Sequence, residues 1–184
     1  MKQALLPLMQ GFEEIEAVTI IDILRRGDVQ VVTAGLESVI VDGGHGITIM
    51  ADSLLEHVIN QEFDLIVLAG GAGTFRLQAD PRIIPMLQKH AGLGKLTAAI
   101  CAAPLVLSAS GLLTEKRATS YPAVKDQLVV GEYLNDLVVV DGNIITSRGA
   151  GTATEFALQL LELLQGKAIA EEVAGKIVFI KKTA

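Results

Sequence analysis

The chain has 184 residues, 51% of them hydrophobic and 20% charged, and its 21 acidic against 15 basic side chains give a net charge of −6. This composition excludes a disordered, collagenous or coiled-coil chain, and an acidic chain without a basic run has no electrostatic footprint for sequence-specific nucleic-acid binding. A single cysteine excludes an internal disulfide and any metal site built on two thiolates.

Residues 3–9 read as a buried strand, and 13–26 as a helix with apolar Ile15, Val18, Ile20, Ile21 and Leu24, ending at Gly27. A second strand is expected at 29–33. Residues 39–50 read as a hairpin turning at Gly43-Gly44. Asp52 or Ser53 can cap a helix through 61. Residues 63–68 form the plainest buried strand, followed by Gly70-Gly71-Ala72-Gly73. A helix is expected at 81–91 with Pro81 in its first turn, a strand at 96–100 and a helix at 102–110. A strand pair at 138–146 turns at Gly142-Asn143, and a strong helix spans 152–164.

Continuous apolar strands alternating with helices predict a doubly wound α/β domain with a mostly parallel sheet, and the whole of 1–184 reads as one domain. No charge occurs over 96–114, but Pro104, Ser108, Ser110 and Gly111 interrupt the run, so a buried strand and helix are expected rather than a membrane span. The amino terminus turns acidic at Glu13 without a small-residue cleavage site, so no signal peptide is expected and the location reads as cytoplasmic. In such folds the ligand site lies beyond the carboxyl ends of the strands, at a switch point. The search therefore narrows to the loops after residues 9, 68, 100 and 146.

The loop after 96–100 holds the cysteine, in Ala98-Ala99-Ile100-Cys101-Ala102-Ala103-Pro104. Ala99 and Ala103 supply the small neighbours that a nucleophile elbow needs. A thiol at a helix N-terminus is expected to be acidified, favouring thiolate; a small buried hydrophobe is the plainer account of a lone cysteine. The first loop, Gln10-Gly11-Phe12-Glu13-Glu14-Ile15-Glu16, has one glycine and three acids, which argues against a dinucleotide pyrophosphate. Glu13 and Glu14 suit a helix's first turn. Glu16 lies close to the apolar face, where a carboxylate needs a partner and desolvation raises its pKa. Gly70 and Gly71 can turn backbone amides towards a ligand, although a tight turn explains them equally well. His45, His57 and His90 lack metal-ligand spacing, and the last two are expected on the surface.

Gly11-Phe12-Glu13-Glu14-Ile15-Glu16, Leu68-Ala69-Gly70-Gly71, the Cys101 segment, Tyr121-Pro122 and Thr146-Ser147-Arg148-Gly149-Ala150-Gly151-Thr152 stand together in an order that resembles the ThiJ/PfpI superfamily, in its DJ-1-like branch. The resemblance implies a flavodoxin-like three-layer sandwich, a homodimer, and a reactive Cys101 hydrogen-bonded to a protonated Glu16. It implies Gly70 and Gly71 amides facing a substrate or an oxidised sulfur, and an Arg26 near the site. It also implies that His45 stands where relatives carry an arginine reaching towards the partner's site. Ala102 replaces the histidine of the protease-like branch, so peptidase activity is not expected. Tyr121 replaces a histidine, and Ala150 a proline common in that segment.

The function implied is a stress-protective enzyme acting on methylglyoxal or its early adducts on proteins, of the deglycase or glyoxalase kind, without metal or organic cofactor. In this reading Cys101 attacks the carbonyl and Glu16 moves protons. Gly71 and Ala102 amides hold the oxyanion, and Tyr121, a poor base at neutral pH, offers a hydrogen bond. The rival is a redox-sensing or chaperone-like protein whose Cys101 is oxidised without turnover. A purely structural Cys101 is the third reading.

Overall fold

The computed structural model describes residues 1–180. Buried apolar runs become strands and amphipathic segments become helices, in chain order β1 (Gln3–Leu8), α1 (Glu14–Arg26), β2 (Gln30–Gly35), β3 (Ile40–Asp42), β4 (Thr48–Met50), β5 (Ser53–Leu54), α2 (Leu55–Val58) and β6 (Leu65–Leu68). There follow α3 (Thr74–Ala79), α4 (Ile83–Gly92), β7 (Leu96–Ile100), α5 (Pro104–Ala109), β8 (Arg117–Ala118), β9 (Glu132–Tyr133), β10 (Val138–Asp141), β11 (Ile144–Ser147), α6 (Ala153–Gln165) and α7 (Lys167–Lys176).

Seven strands form one sheet in the order β10-β11-β7-β6-β1-β2-β5. Every neighbouring pair is parallel except the β10–β11 hairpin. Leu65 to Leu68 and Ala98 to Ile100 are buried on both sides, as strands covered by helices on each face must be. This is the doubly wound, flavodoxin-like sandwich, with β3 and β4 forming a separate antiparallel hairpin. From β1 the chain moves to β2 on one side, and β6 takes the other side. The strand order therefore reverses between β1 and β6, and the crevice opens beyond their carboxyl ends.

Several expectations are corrected. The helix expected over 52–61 is only α2, because Ser53 and Leu54 pair with the edge of β2. Asp52 does not cap it; its carboxylate accepts from Thr33 N, Thr33 Oγ1 and Arg25. The short helices α2 and α3 carry too few turns for a clear period, and α3, α7 and the β8–β9 pair were not anticipated. His90 is buried rather than exposed, with Nε2 3.0 Å from the Leu96 carbonyl. The uncharged 96–114 run is core strand and helix, and among the described residues no helix is long and apolar enough to cross a membrane.

The face of α1 is also rotated from the expected one. Ile15 and Val18 are exposed, whereas Ala17, Ile20, Ile23 and Leu24 pack inward where α1 meets α6. Glu16 precedes Ala17 on that inward side and is fully buried. Helix rotation, set by packing against α6, thus drives a carboxyl into the crevice.

Candidate active site

Cys101 follows the last residue of β7 and has φ +65°, one of three non-glycine residues with positive φ among those described. A β-carbon in that region costs roughly 1–2 kcal/mol, which the surroundings must offset. The backbone is gripped on both sides: Cys101 N donates to the Ser147 carbonyl at 3.0 Å, and Tyr121 N donates to the Cys101 carbonyl at 2.7 Å. The small neighbours expected of an elbow have a physical counterpart in Gly70. A β-carbon there would stand 2.7 Å from the Cys101 β-carbon and 2.9 Å from Ala102 N.

Glu16 reaches this elbow from α1. Glu13 caps the helix, its carboxylate accepting from Glu16 N at 2.7 Å. Gly70 N donates to Glu16 Oε2 at 2.7 Å, while buried Oε1 has no hydrogen-bond partner among the described residues. Gly70 is therefore corrected from substrate ligand to anchor of the carboxyl, because its only N–H is already committed. Desolvation raises the Glu16 pKa to about 7, over the opposing effects of the Gly70 amide and the Cys101 thiol.

Cys101 is half-buried, and the expectation of a thiol acidified by its helix is corrected. Burial and the neighbouring Glu16 raise it to about 12, while the amides of Ala102 and Gly71 pull it down. The helix adds little, because α5 starts only at Pro104 and has six residues. The two groups titrate as one unit that gives up a first proton near 7 and keeps the second to about 12. Between those values the pair carries one negative charge. Its location follows from the donors: the sulfur faces two amides, whereas the carboxyl is the more deeply buried group and has an oxygen without a donor. A proton on Oε1 removes the buried charge and supplies a donor to sulfur. Alkylation of Cys101 by iodoacetamide is accordingly expected to accelerate through pH 7; a single rise near pH 9 is the contrary result.

Tyr121 lies beside the thiol, half-exposed. A β-carbon added at Gly149 would be 3.6 Å from the Tyr121 ring and 3.9 Å from Cys101 Sγ. Arg26 does not join this group. It is ten residues beyond Glu16, about 15 Å along the helix, and its guanidinium is bound to Asp22 on the surface.

His45 is exposed and held by its own chain. Glu14, expected only to complement the helix dipole, is buried and accepts from His45 Nδ1 at 2.8 Å, from His45 N and from Ile47 N. Burial alone would raise the Glu14 pKa, but the His45 and Ile47 bonds outweigh it and hold the carboxyl at about 2. Gly43 makes room, since a β-carbon there would collide with the Glu14 carboxylate. Glu13, Glu14 and His45 bring one ligand atom each within 4.8 Å of one another. Both Glu14 oxygens are committed to the hairpin, so the cluster is its anchor. The His45 pKa is raised, first by the Glu14 hydrogen bond and then by its charge, so this ion pair is complete below pH 6.5 and is lost as pH rises through the folded value. Glu14→Gln should bring the His45 pKa back down, which the pH dependence of its imidazole NMR signals would read; an unchanged value contradicts the assignment.

A flavodoxin-like sheet carrying a strained cysteine beside a buried carboxyl at its switch point defines the class. The chain belongs to the DJ-1/PfpI family, whose description matches residues 2–163. Protein dj-1beta of Drosophila melanogaster is 43% identical over 177 residues, covering 94% of this chain and 95% of that protein. The glutathione-independent glyoxalase of Caenorhabditis elegans is 42% identical, covering 84% of this chain and 83% of that protein. The chain spans less than half the length of two Arabidopsis thaliana DJ-1 homologs, 41% and 46%, while being 42% and 43% identical to them. The crystal structure of Drosophila melanogaster DJ-1beta superposes with TM-score 0.94 at 41% identity, covering 98% of this chain and 99% of that one. Oxidized Toxoplasma gondii DJ-1 superposes with TM-score 0.95 at 38% identity, covering 98% and 100%.

Proposed function

We propose that this chain is a cofactor-independent enzyme that converts methylglyoxal, free or as an early adduct on protein, to lactate. The observation that carries the reading is the fully buried Glu16 carboxyl, held by the Gly70 amide beside Cys101 in a pair that gives up its first proton near 7. A proton carrier poised near neutrality is what acid–base catalysis at a carbonyl requires. The glyoxalase name of the Caenorhabditis elegans relative supports the same chemistry.

Sulfur adds to the aldehyde carbon, and Glu16 gives its proton to the carbonyl oxygen, forming a hemithioacetal. Gly71 and Ala102 amides stabilise the negative charge as it passes from sulfur to oxygen. The Glu16 carboxylate then takes the proton from C1, and the resulting enediol accepts it at C2, leaving a lactoyl thioester. Water cleaves the thioester, releasing lactate and restoring the thiol. The balance is methylglyoxal plus one water to lactate, with no external oxidant.

Direct measurement of lactate tests this, because reversible trapping also makes the aldehyde disappear. Cys101→Ser should leave only background. Tyr121→Phe removes at most one hydrogen bond and should retain activity within about tenfold; a loss comparable to that of Cys101→Ser would make Tyr121 a proton carrier. The second reading, oxidation of Cys101 in sensing, is favoured by the oxidised state of the Toxoplasma gondii relative and by the two amides that could hold a sulfinate. Wild-type protein that makes no lactate yet gains two oxygens on Cys101 in peroxide would replace the first reading with the second.

The chain is further read as one domain that works in the cytoplasm as a homodimer. Exposed Ile15 and Val18 on α1, with Ile40, Ile47 and Met50 on the hairpin, support self-association. A monomer in sedimentation at micromolar concentration would remove that part.

A further inference from the structure

One residue next to Cys101 has no side chain. Gly149 presents bare backbone to the thiol and to the Tyr121 ring, and its φ of 161° is extended backbone open to any residue. The segment is closed by a hydroxyl. Thr152 Oγ1 lies 3.1 Å from Gly149 N, 2.9 Å from the Gly149 carbonyl and 2.7 Å from Ser147 Oγ. Ser147 Oγ is also 2.7 Å from the Leu137 carbonyl. Two hydroxyl protons serve the two shortest contacts: Ser147 donates to Leu137, Thr152 donates to Ser147, and Gly149 N donates to Thr152. The carbonyl of the same Ser147 accepts from Cys101 N. One hydroxyl thus ties Gly149 to the residue that holds the elbow.

We propose that Thr152 is a positioning residue for the Cys101 reaction: its hydroxyl fixes Gly149 at the distance that admits a short α-oxoaldehyde to the sulfur and hinders a bulky one. The proposal rests on the enzymatic reading for its substrate, and on geometry alone for its effect on access. Thr152 touches neither the thiol nor its neighbours at Gly70, Gly71 and Glu16 in any hydrogen bond of the structure, so its influence runs through Gly149 and Ser147.

The test compares two probe pairs on the full chain: methylglyoxal against phenylglyoxal for turnover, and iodoacetamide against N-phenylmaleimide for alkylation of Cys101. T152V keeps the shape and removes the hydroxyl. It should narrow the small-over-bulky preference in both pairs, by about fivefold, with T152S restoring it. G149A leaves the hydroxyl bonds in place and adds one methyl within 4 Å of sulfur. It should widen the preference by about tenfold, the scale of one methyl group in a pocket, through phenylglyoxal KM more than methylglyoxal kcat. Preferences in T152V equal to wild type in folded protein overturn the proposal. If T152V does not fold, an unchanged preference in G149A overturns it instead. If wild type makes no lactate but the alkylation preference shifts as stated, the positioning role stands and the enzymatic reading falls.

Discussion

Glu16→Gln should abolish lactate formation and at the same time stabilise the protein above neutrality. The two effects have one cause. Glutamine keeps the acceptor for Gly70 N but has no proton that it can give and take near neutral pH, so the transfer to the carbonyl oxygen and from C1 to C2 has no agent. On the stability side, the folded Glu16–Cys101 pair gives up its first proton near 7, against 4.5 for the free Glu16 side chain. Between those values the folded state binds more protons than the unfolded one, so wild-type stability falls as pH rises through this window. Raising the first ionisation of the pair from 4.5 to about 7 corresponds to roughly 3 kcal/mol of stability lost by pH 8. The E16Q protein escapes that loss, and its melting temperature at pH 8 should exceed the wild type's by roughly 6–12 °C. At pH 4 the two should melt together. Parallel melting curves of the two proteins against pH would show that Glu16 carries no raised pKa, and normal turnover would remove it from the mechanism.

Gly71→Ala should be the most damaging substitution of a single small residue at the site. Gly71 has φ +109°, a conformation that side chains rarely adopt. A β-carbon would also lie 2.5 Å from Glu13 N and from the Gly11 carbonyl, and 2.7 Å from the Phe12 carbonyl carbon. None of these is a flexible side-chain end, so backbone must move. Overpacking and φ strain together should cost about 3 kcal/mol or more. The same movement draws an amide away from the sulfur and disturbs the Glu13 cap that orients Glu16, so turnover should fall even where the protein stays folded. Urea denaturation and lactate release on the folded fraction measure the two effects separately. A stability within 1 kcal/mol of wild type would mean that the loop rearranges freely.

The doubly wound sheet was legible in the sequence because buried parallel strands leave continuous apolar runs, as at 63–68 and 96–100, and glycines punctuate the helix ends. The turn that carries Cys101 was legible as well, since Ala99, Ala103 and the sole cysteine are local features. Glu16 could be singled out by its place beside an apolar stripe. Its depth could not be read in the same way: α1 turns on its axis to meet α6, leaving Ile15 and Val18 in solvent and Glu16 fully buried. Sequence assigned the right amides to the wrong partners in one case, because nothing local says that the Gly70 N–H is taken by a carboxyl 54 residues earlier. The acidity of Cys101 likewise depends on burial and on that carboxyl, not on the short helix that follows it. Glu14 and His45 lie 31 residues apart in the chain, and only folding the hairpin over α1 turns a first-turn acid into its anchor. Thr152 and Gly149 were visible as a motif without a role. Periodicity and turn chemistry act over a few residues and are written in the chain; desolvation and the assignment of each N–H to one acceptor arise only when distant segments close around the same few atoms.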